Sequence, residues 1–136
     1  MATFLLELVS PEKLLLSRPV EMVTIPAEEG EMGVLPGHSP MIVALRGGVI
    51  RVRENGAETE ALFIAGGFAE VSPERVTILA DEATPLASLS RATAERRLAE
   101  AEAALQEATT EPEPKRDAAY ARVQAFRTAV TVAQAA

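Results

Sequence analysis

The sequence predicts an antiparallel β-domain followed by a helical hairpin, because glycine and alanine are unevenly distributed along its 136 residues. All 8 glycines lie between Gly30 and Gly67, whereas 16 of the last 50 residues are alanine. Turn formers therefore crowd one half of the chain, and the best helix former crowds the other. Residues 1–86 hold 6 basic and 13 acidic side chains, while residues 87–136 hold 7 of each. We expect a β-domain over residues 1–86 and a helical domain over residues 87–136, with the boundary near Pro85–Ser90.

Short apolar runs separated by turn residues predict the strands of the first half. The pair Asn55 and Gly56 tolerates the positive φ angles of a tight hairpin turn. The glycine pairs 47–48 and 66–67 lie between strand-like runs, which is typical of turns or bulges rather than of a phosphate loop. Many short strands at this spacing indicate a sandwich or barrel. The predicted strands are Phe4–Val9, Lys13–Ser17, Val20–Ile25 (ending at Pro26), Met41–Leu45, Val49–Arg53, Thr59–Ala65, Phe68–Val71 and Val76–Ala80.

The second half carries two apolar stripes with helical spacing. Steps of three and four residues place each stripe on one helix face. Two prolines between the stripes predict a helix break over residues 109–115, so the helices are expected to be antiparallel neighbours. Their small alanine faces bury little area, which predicts a weakly held hairpin. The stripes are Ala94, Leu98, Ala101, Leu105 and Ala108, then Ala119, Val123, Phe126, Val130 and Ala133.

Composition excludes several classes of function. A net charge of −7 argues against a nucleic-acid-binding protein, which needs basic residues to neutralise phosphates. The absence of cysteine excludes disulfides, iron–sulfur clusters and thiolate metal sites, and the single histidine excludes a multi-histidine site. Apolar runs are far shorter than the roughly 20 residues of a membrane span, and no leader opens the chain. We expect a soluble, acidic, cytoplasmic protein without direct membrane insertion.

The titratable residues form no recognisable catalytic set. His38 lacks a nucleophile pattern around it, and an isolated histidine is most often structural. The acidic turn at Glu28, Glu29 and Glu31 lacks the alternating ligands of a calcium loop, so a solvated turn is the better interpretation. The residues alone therefore favour a non-catalytic binding or assembly protein. A free-standing β-sandwich adapter and an enzyme with an unrecognised site remain open alternatives.

One segment of the β-domain stands apart, because residues 31–40 combine turn formers with potential contact groups. Pro36 and Pro40 restrict φ, while Gly33 and Gly37 permit tight bends. A rigid loop of this kind is suited to binding another protein. The alternative, given the same weight, is that the loop is stiff but binds no partner.

Four segments of the chain carry recognisable motifs. They are EGEMGVLPGHSP at residues 29–40, LELVSP at 6–11, IAGGFAEV at 64–71 and VTILAD at 76–81. Together they resemble the epsilon subunit of F-type ATP synthases, and the most specific is the segment at 29–40, which is similar to the signature loop of that family. The resemblance covers essentially the whole chain. It implies a flattened ten-strand β-sandwich followed by two antiparallel helices.

The resemblance also implies a role as a non-catalytic rotor subunit. The sandwich would dock on the gamma subunit and the c-ring, coupling proton translocation to ATP synthesis at the cytoplasmic face of the bacterial inner membrane. The helices would reach the alpha/beta catalytic head transiently as a candidate regulatory element. The interface residues implied are Glu29, Gly30, Glu31, Met32, Pro36, Gly37, His38, Ser39 and Pro40.

Nucleotide binding is the one family property that the sequence places in doubt. Some bacterial members bind ATP in the helical domain through Ile/Leu-Asp-x-x-Arg-Ala and later arginines. Here Arg91 and Ala92 match the Arg-Ala step, but Ser88 stands where aspartate is expected. Arg122 and Arg127 are the candidates for the later arginines. We therefore expect no tightly bound cofactor and no metal.

Overall fold

The computed structural model describes residues 2–108 and 113–133, which form ten strands, one 3-10 turn and two helices. The two-part architecture predicted from the sequence is confirmed. The strands are β1 (Phe4–Val9), β2 (Leu14–Val20), β3 (Met22–Ala27), β4 (Gly30–Val34), β5 (Met41–Leu45), β6 (Gly48–Glu54), β7 (Ala57–Ile64), β8 (Gly67–Val71), β9 (Arg75–Ala80) and β10 (Ala83–Pro85). The 3-10 turn is Leu86–Ser88, and the helices are α1 (Arg91–Ala108) and α2 (Glu113–Val132).

All ten strands belong to one hydrogen-bonded sheet that closes over a single core as a flattened sandwich. The strand order is β10-β7-β6-β3-β5-β8-β9-β1-β2, and β4 pairs with β3 beside this path. Every neighbouring pair is antiparallel except β1 and β9, which are parallel. The inward residues alternate with outward ones along most strands, and those at Leu6, Leu8, Ile25, Ile50 and Ile78 are fully buried.

Two prolines lie inside strands that continue beyond their predicted ends. β2 continues through Pro19 because it lies at the end of the sheet, where a missing N–H costs no ladder bond. The predicted stop at Pro26 is wrong, since β3 continues to Ala27. Pro26 lacks only a donor, and its carbonyl still accepts a bond from the Arg46 N–H at 2.9 Å.

The segment predicted as a single loop over residues 31–40 is in part a strand. Residues 30–34 form β4 and pair with β3 from Ala27↔Gly30 to Val23↔Val34. Only residues 35–40 are irregular. The local sequence hides this strand, because its pattern carries two glycines and a single fully buried side chain, Val34.

The glycine-rich turns follow their predicted positions. Asn55 and Gly56 adopt φ angles of 52° and 77° at the tip of the β6–β7 hairpin, as the Asn-Gly pair predicts. Gly66, between β7 and β8, and Gly67, the first residue of β8, adopt φ angles of 138° and 147°. A Cβ atom on Gly67 would lie 2.0 Å from the Leu79 carbonyl oxygen, so this close approach of two strands requires glycine.

The two helices pack on each other and on the outer side of β6 and β7. Ser90 caps α1, since its Oγ accepts the Thr93 N–H at 3.1 Å. Eight of the ten predicted stripe residues lie in the apolar cluster that the helices form with Phe63 of β7, and Ala108 and Ala119 do not. The turn before β6 touches α2 closely, because a Cβ on Gly47 would lie 2.4 Å from the Ala125 Cα.

The predicted break between the helices is too long. Residues 113–115 belong to α2, because a proline in the first helical turn loses no intrahelical bond. The remaining part of the predicted break, residues 109–112, lies outside the described residues.

Candidate docking surfaces

The corner between β3 and β4 gathers the first group of predicted interface residues. Glu29, Gly30, Glu31 and Met32 line a groove of about 510 Å³ with residues 41–44 of β5. Gly30 has a φ of 142° and starts β4, so the chain reverses here and exposes both glutamates. The groove therefore offers carboxylates beside the thioethers of two methionines, a mixed polar and apolar surface.

The second group lies beyond the other end of β4, in the turn of residues 35–40. The Gly37 N–H donates to the Pro73 carbonyl over 2.8 Å, which ties the turn to the β8–β9 hairpin. The His38 ring donates from Nδ1 to the Ser39 carbonyl at 2.8 Å, so Nε2 remains available to a partner. This turn is stiff, and β4 separates it from Glu31 by about 10 Å of strand.

An exposed apolar surface lies on the outer side of β5, β8 and β9. Ile42, Phe68 and Leu79 are 77%, 57% and 54% exposed. Phe68 pairs directly with Leu79, and Ala44 pairs with Phe68, which places Ile42 two positions along the same sheet face. These three residues, termed the apolar face, form a contiguous patch of the kind that marks a protein interface.

Sequence reasoning missed the apolar face, although a signal was present. A half-buried antiparallel strand should alternate apolar and polar residues. In β9 the run Ile78, Leu79, Ala80 is apolar on both faces, and in β8 Phe68 lies on the face opposite buried Ala69. An apolar residue at an outward position was thus the clue to an interface.

One carboxylate of the sandwich binds arginines from both helices. Arg97 of α1 donates to Glu82 over 2.7 Å, and Arg122 of α2 donates to both carboxylate oxygens at 3.3 Å. Both guanidinium groups lie over the Phe126 ring, at 4.6 and 4.9 Å from its centroid. The Phe126 ring lies 6.1 Å from that of Phe63 on β7. We term Glu82, Arg97, Arg122 and Phe126 the Glu82 clamp, because they fasten the hairpin to the sandwich.

The clamp keeps its carboxylate ionised. Partial burial opposes the charged form of Glu82, but the hydrogen bonds from Arg97 and Arg122 outweigh that effect and hold the pKa of Glu82 below its usual range. The clamp is consequently a charged contact over the neutral working range of pH.

A second ionic cluster lies within the sandwich. Arg18 of β2 donates to Glu54 at the end of β6 from two nitrogens, at 2.8 and 3.1 Å, and to Glu60 at 3.3 Å. The Thr59 hydroxyl donates to the same Glu54 carboxylate. The hydrogen bond from Arg18 is the main reason that the pKa of Glu54 lies below its usual range. This cluster joins strands that are far apart in the sheet order.

The nucleotide-binding candidates are engaged in other contacts or exposed. Arg91 pairs with Glu95 at 3.1 Å, while Arg122 belongs to the Glu82 clamp. Ser88 lines a cleft of only about 60 Å³ that it shares with Glu82 and Arg97. Small-molecule sites usually need several hundred Å³. Ala92 and Arg127 are exposed on α1 and α2.

Within residues 2–108 and 113–133, no group of three or more histidine, aspartate or glutamate side chains is arranged to hold a metal ion. In the same part of the chain, neither helix combines the length and the apolar character needed to cross a membrane.

The fold and its exposed surfaces define a protein that docks on other proteins, and comparison with known proteins identifies its family. Residues 3–86 match the beta-sandwich domain of the ATP synthase delta/epsilon chain. The ATP synthase epsilon chain of Granulibacter bethesdensis is 56% identical over 134 residues, covering 98% of this chain and 99% of that protein. The epsilon chain of Gluconacetobacter diazotrophicus is 45% identical over 127 residues, covering 93% and 90%.

Solved structures agree with the sequence relatives. A chain of the Euglena gracilis mitochondrial ATP synthase superposes with a TM-score of 0.72 at 30% identity, covering 94% of this chain and 79% of that one. A chain from the central stalk and c-ring of the Tetrahymena thermophila enzyme shares the fold, with a TM-score of 0.61 at 14% identity. The chain belongs to the ATP synthase epsilon chain family. The predicted role of a non-catalytic subunit of that complex is confirmed.

Proposed function

We propose that this chain is a rotor subunit of the central stalk, coupling proton translocation through the membrane sector to ATP synthesis by docking on the gamma subunit and the c-ring. The observation that carries the proposal is the apolar face. A subunit that transmits torque needs an interface that excludes water, and Ile42, Phe68 and Leu79 are large apolar side chains held on rigid strands. The gamma subunit is the partner assigned to this face.

The β3–β4 corner and the turn of residues 35–40 are assigned to the c-ring. Glu31 is exposed on β4, where its carboxylate is able to accept a charge-assisted hydrogen bond from a ring arginine or lysine. The bond from Gly37 to Pro73 holds the neighbouring turn in one shape, which lowers the entropic cost of docking. Glu29, Gly30, Met32, Pro36, His38, Ser39 and Pro40 complete this surface.

The helices are assigned a regulatory role that does not depend on tight nucleotide binding. In the docked hairpin Glu82 already neutralises Arg122, and the cleft beside Ser88 is too small for a nucleotide. We expect ATP to bind the isolated chain no better than millimolar, about −4 kcal/mol. Titration calorimetry tests this, and micromolar binding would contradict it.

Release of the Glu82 clamp would free the helices to reach the alpha/beta head. We place the chain at the cytoplasmic face of the bacterial inner membrane, where its protein partners would hold it. The net charge of −7 disfavours direct contact with anionic lipid.

The binding of purified gamma subunit to the full chain tests the central assignment. Ile42→Ser removes an exposed apolar anchor, so we expect the dissociation constant to rise about 30-fold, as for an interface hot spot worth about 2 kcal/mol. The thermal stability of the isolated chain should hardly change, because Ile42 is exposed.

Arg51→Ser is the matched control, since Arg51 is also exposed but lies on β6 outside the apolar face. Equal binding by both variants would remove the apolar face from the gamma interface and favour an adapter with another partner.

A further inference from the structure

A groove of about 760 Å³ lies between the sandwich and α2, next to the apolar face. Phe68 lines it from β8, and Tyr120 lines it from α2. Tyr120 is 55% exposed, so both aromatic side chains keep about half of their surface free. Phe68 belongs at once to the groove and to the apolar face.

The charged groups of the groove favour a cation. Glu28 and Asp81 contribute two carboxylates and Arg46 one guanidinium group. Arg46 directs its Nε toward the Ala27 carbonyl over 3.1 Å, which uses part of its hydrogen-bonding capacity within the protein. Aromatic faces attract cations, and a carboxylate nearby strengthens that preference. A lysine or arginine side chain on an otherwise apolar segment matches this lining.

We infer that the gamma subunit extends from the apolar face into this groove and places a basic side chain between Phe68 and Tyr120. The inference rests on the proposed docking of gamma on the apolar face. The apolar face and the groove are continuous because Phe68 belongs to both. A partner that covers Phe68 on the apolar face therefore also reaches the groove.

The groove also links gamma binding to the position of the hairpin. Tyr120 and Gln124 form one wall, and both lie on α2. The complete groove therefore exists only while the hairpin is docked on the sandwich. By thermodynamic linkage, a partner that binds the complete groove stabilises the docked hairpin, and the docked hairpin strengthens binding of that partner by the same factor.

Gamma binding by three variants of the full chain tests the inference. Tyr120→Ala removes the ring but keeps a strong helix former, and we expect the dissociation constant to rise about tenfold. Tyr120→Phe keeps the aromatic face and should restore binding to within about twofold of the parent chain. Arg96→Ala is the control, because Arg96 is exposed on α1, where it pairs with Glu100 one helical turn away.

The Ile42→Ser variant separates this inference from the proposed function. If Tyr120→Ala binds gamma normally while Ile42→Ser binds it weakly, the inference that gamma enters the groove is overturned, and the proposed docking of gamma on the apolar face is supported. If neither change matters, both assignments are wrong. If Tyr120→Ala alters self-association of the isolated chain but not gamma binding, a second copy occupies the groove and the inference is overturned.

A fluorescent label tests the link to the hairpin independently. The chain has no cysteine, so Gln124→Cys accepts a single environment-sensitive dye. Addition of gamma should shift its emission to the blue, whereas the same dye at Arg96→Cys should not respond. If the emission of the dye at position 124 does not change although gamma is bound, gamma does not occupy the groove and the inference is overturned.

Discussion

The sandwich and the helical hairpin are held together by different kinds of contact. The sandwich core consists mainly of large aliphatic side chains, and each fully buried leucine or isoleucine stabilises by about 1.5–3 kcal/mol. The hairpin buries mostly methyl groups, each contributing about 0.8 kcal/mol. Its buried residues on the two helices are Ala94, Ala101, Val123, Ala125, Phe126 and Ala129.

This difference in contacts predicts that the hairpin separates from the sandwich more readily than the sandwich unfolds. The hairpin is fastened to the sandwich by the charged groups of the Glu82 clamp, which are partly exposed to solvent, and by the contact of buried Phe126 with buried Phe63. Loss of one clamp group should weaken the docking of the helices while leaving the aliphatic core of the sandwich buried. We therefore expect the sandwich to act as the constant docking unit and the hairpin as the switchable one.

The largest effect should come from overfilling the sandwich at Gly67. Gly67→Ala places a Cβ 2.0 Å from the Leu79 carbonyl at a φ of 147°, so we expect a loss of more than about 3 kcal/mol from strain and overlap together. Urea unfolding measures this loss. Gly30→Ala is the control, because its φ of 142° is similar but its surroundings are open. If both variants lose the same stability, the close contact between β8 and β9 at Gly67 is not the cause of the loss.

Removal of the hairpin should have a smaller effect. A chain ending at Leu86 retains every residue of the sandwich core, so it should unfold cooperatively, about 2–3 kcal/mol less stable because Phe63 becomes exposed. Gamma should still bind within about tenfold of the full chain. Phe63→Ser in the shortened chain controls for aggregation. A folded fragment that no longer binds gamma would refute the proposed boundary at residues 86 and 87.

Weakening the clamp should release the hairpin at a cost of about 1 kcal/mol, because its carboxylate is partly exposed. Glu82→Gln removes the charge, and hydrogen exchange of α2 amides should accelerate. The lowered pKa of Glu82 means that its contribution is complete above the ordinary carboxyl pKa and is lost as the pH falls through the folded-state value. Docking should therefore weaken below about pH 4 in the parent chain and lose this dependence in the variant.

Glu54→Gln is the matched comparison, since Glu54 also has a lowered pKa but lies in the Arg18 cluster. It should lower the stability of the sandwich and leave hairpin docking unchanged. Equal acceleration of α2 exchange by both variants would mean that the hairpin responds to global stability rather than to the clamp.

The smallest effect on stability is expected at the proposed ring surface. Glu31→Ala with His38→Ala should stay within about 0.5 kcal/mol of the parent chain, because Glu31 is exposed and the His38 ring bonds to the carbonyl of the next residue, Ser39. In reconstituted vesicles the same variant should pump fewer protons per ATP hydrolysed. Early unfolding, or normal pumping by a stable variant, would remove this surface from the c-ring interface.

Local rules were enough to predict much of the fold. Asn55 and Gly56 demand a tight turn wherever they occur between two strands, and the apolar stripes of α1 and α2 select one helix face each. The signature at residues 29–40 identified the family because its residues are contiguous. These features depend on neighbours within a few positions, which is what a single sequence displays directly.

The tertiary structure alone decided the features that join distant residues. β4 exists because β3 pairs with it, although its own pattern resembles a loop. Glu82 meets Arg97 and Arg122 across 15 and 40 positions, and the groove beside Tyr120 forms only where α2 lies on the sandwich. No local pattern specifies such contacts, because they depend on how the elements pack and not on the conformation that each segment prefers.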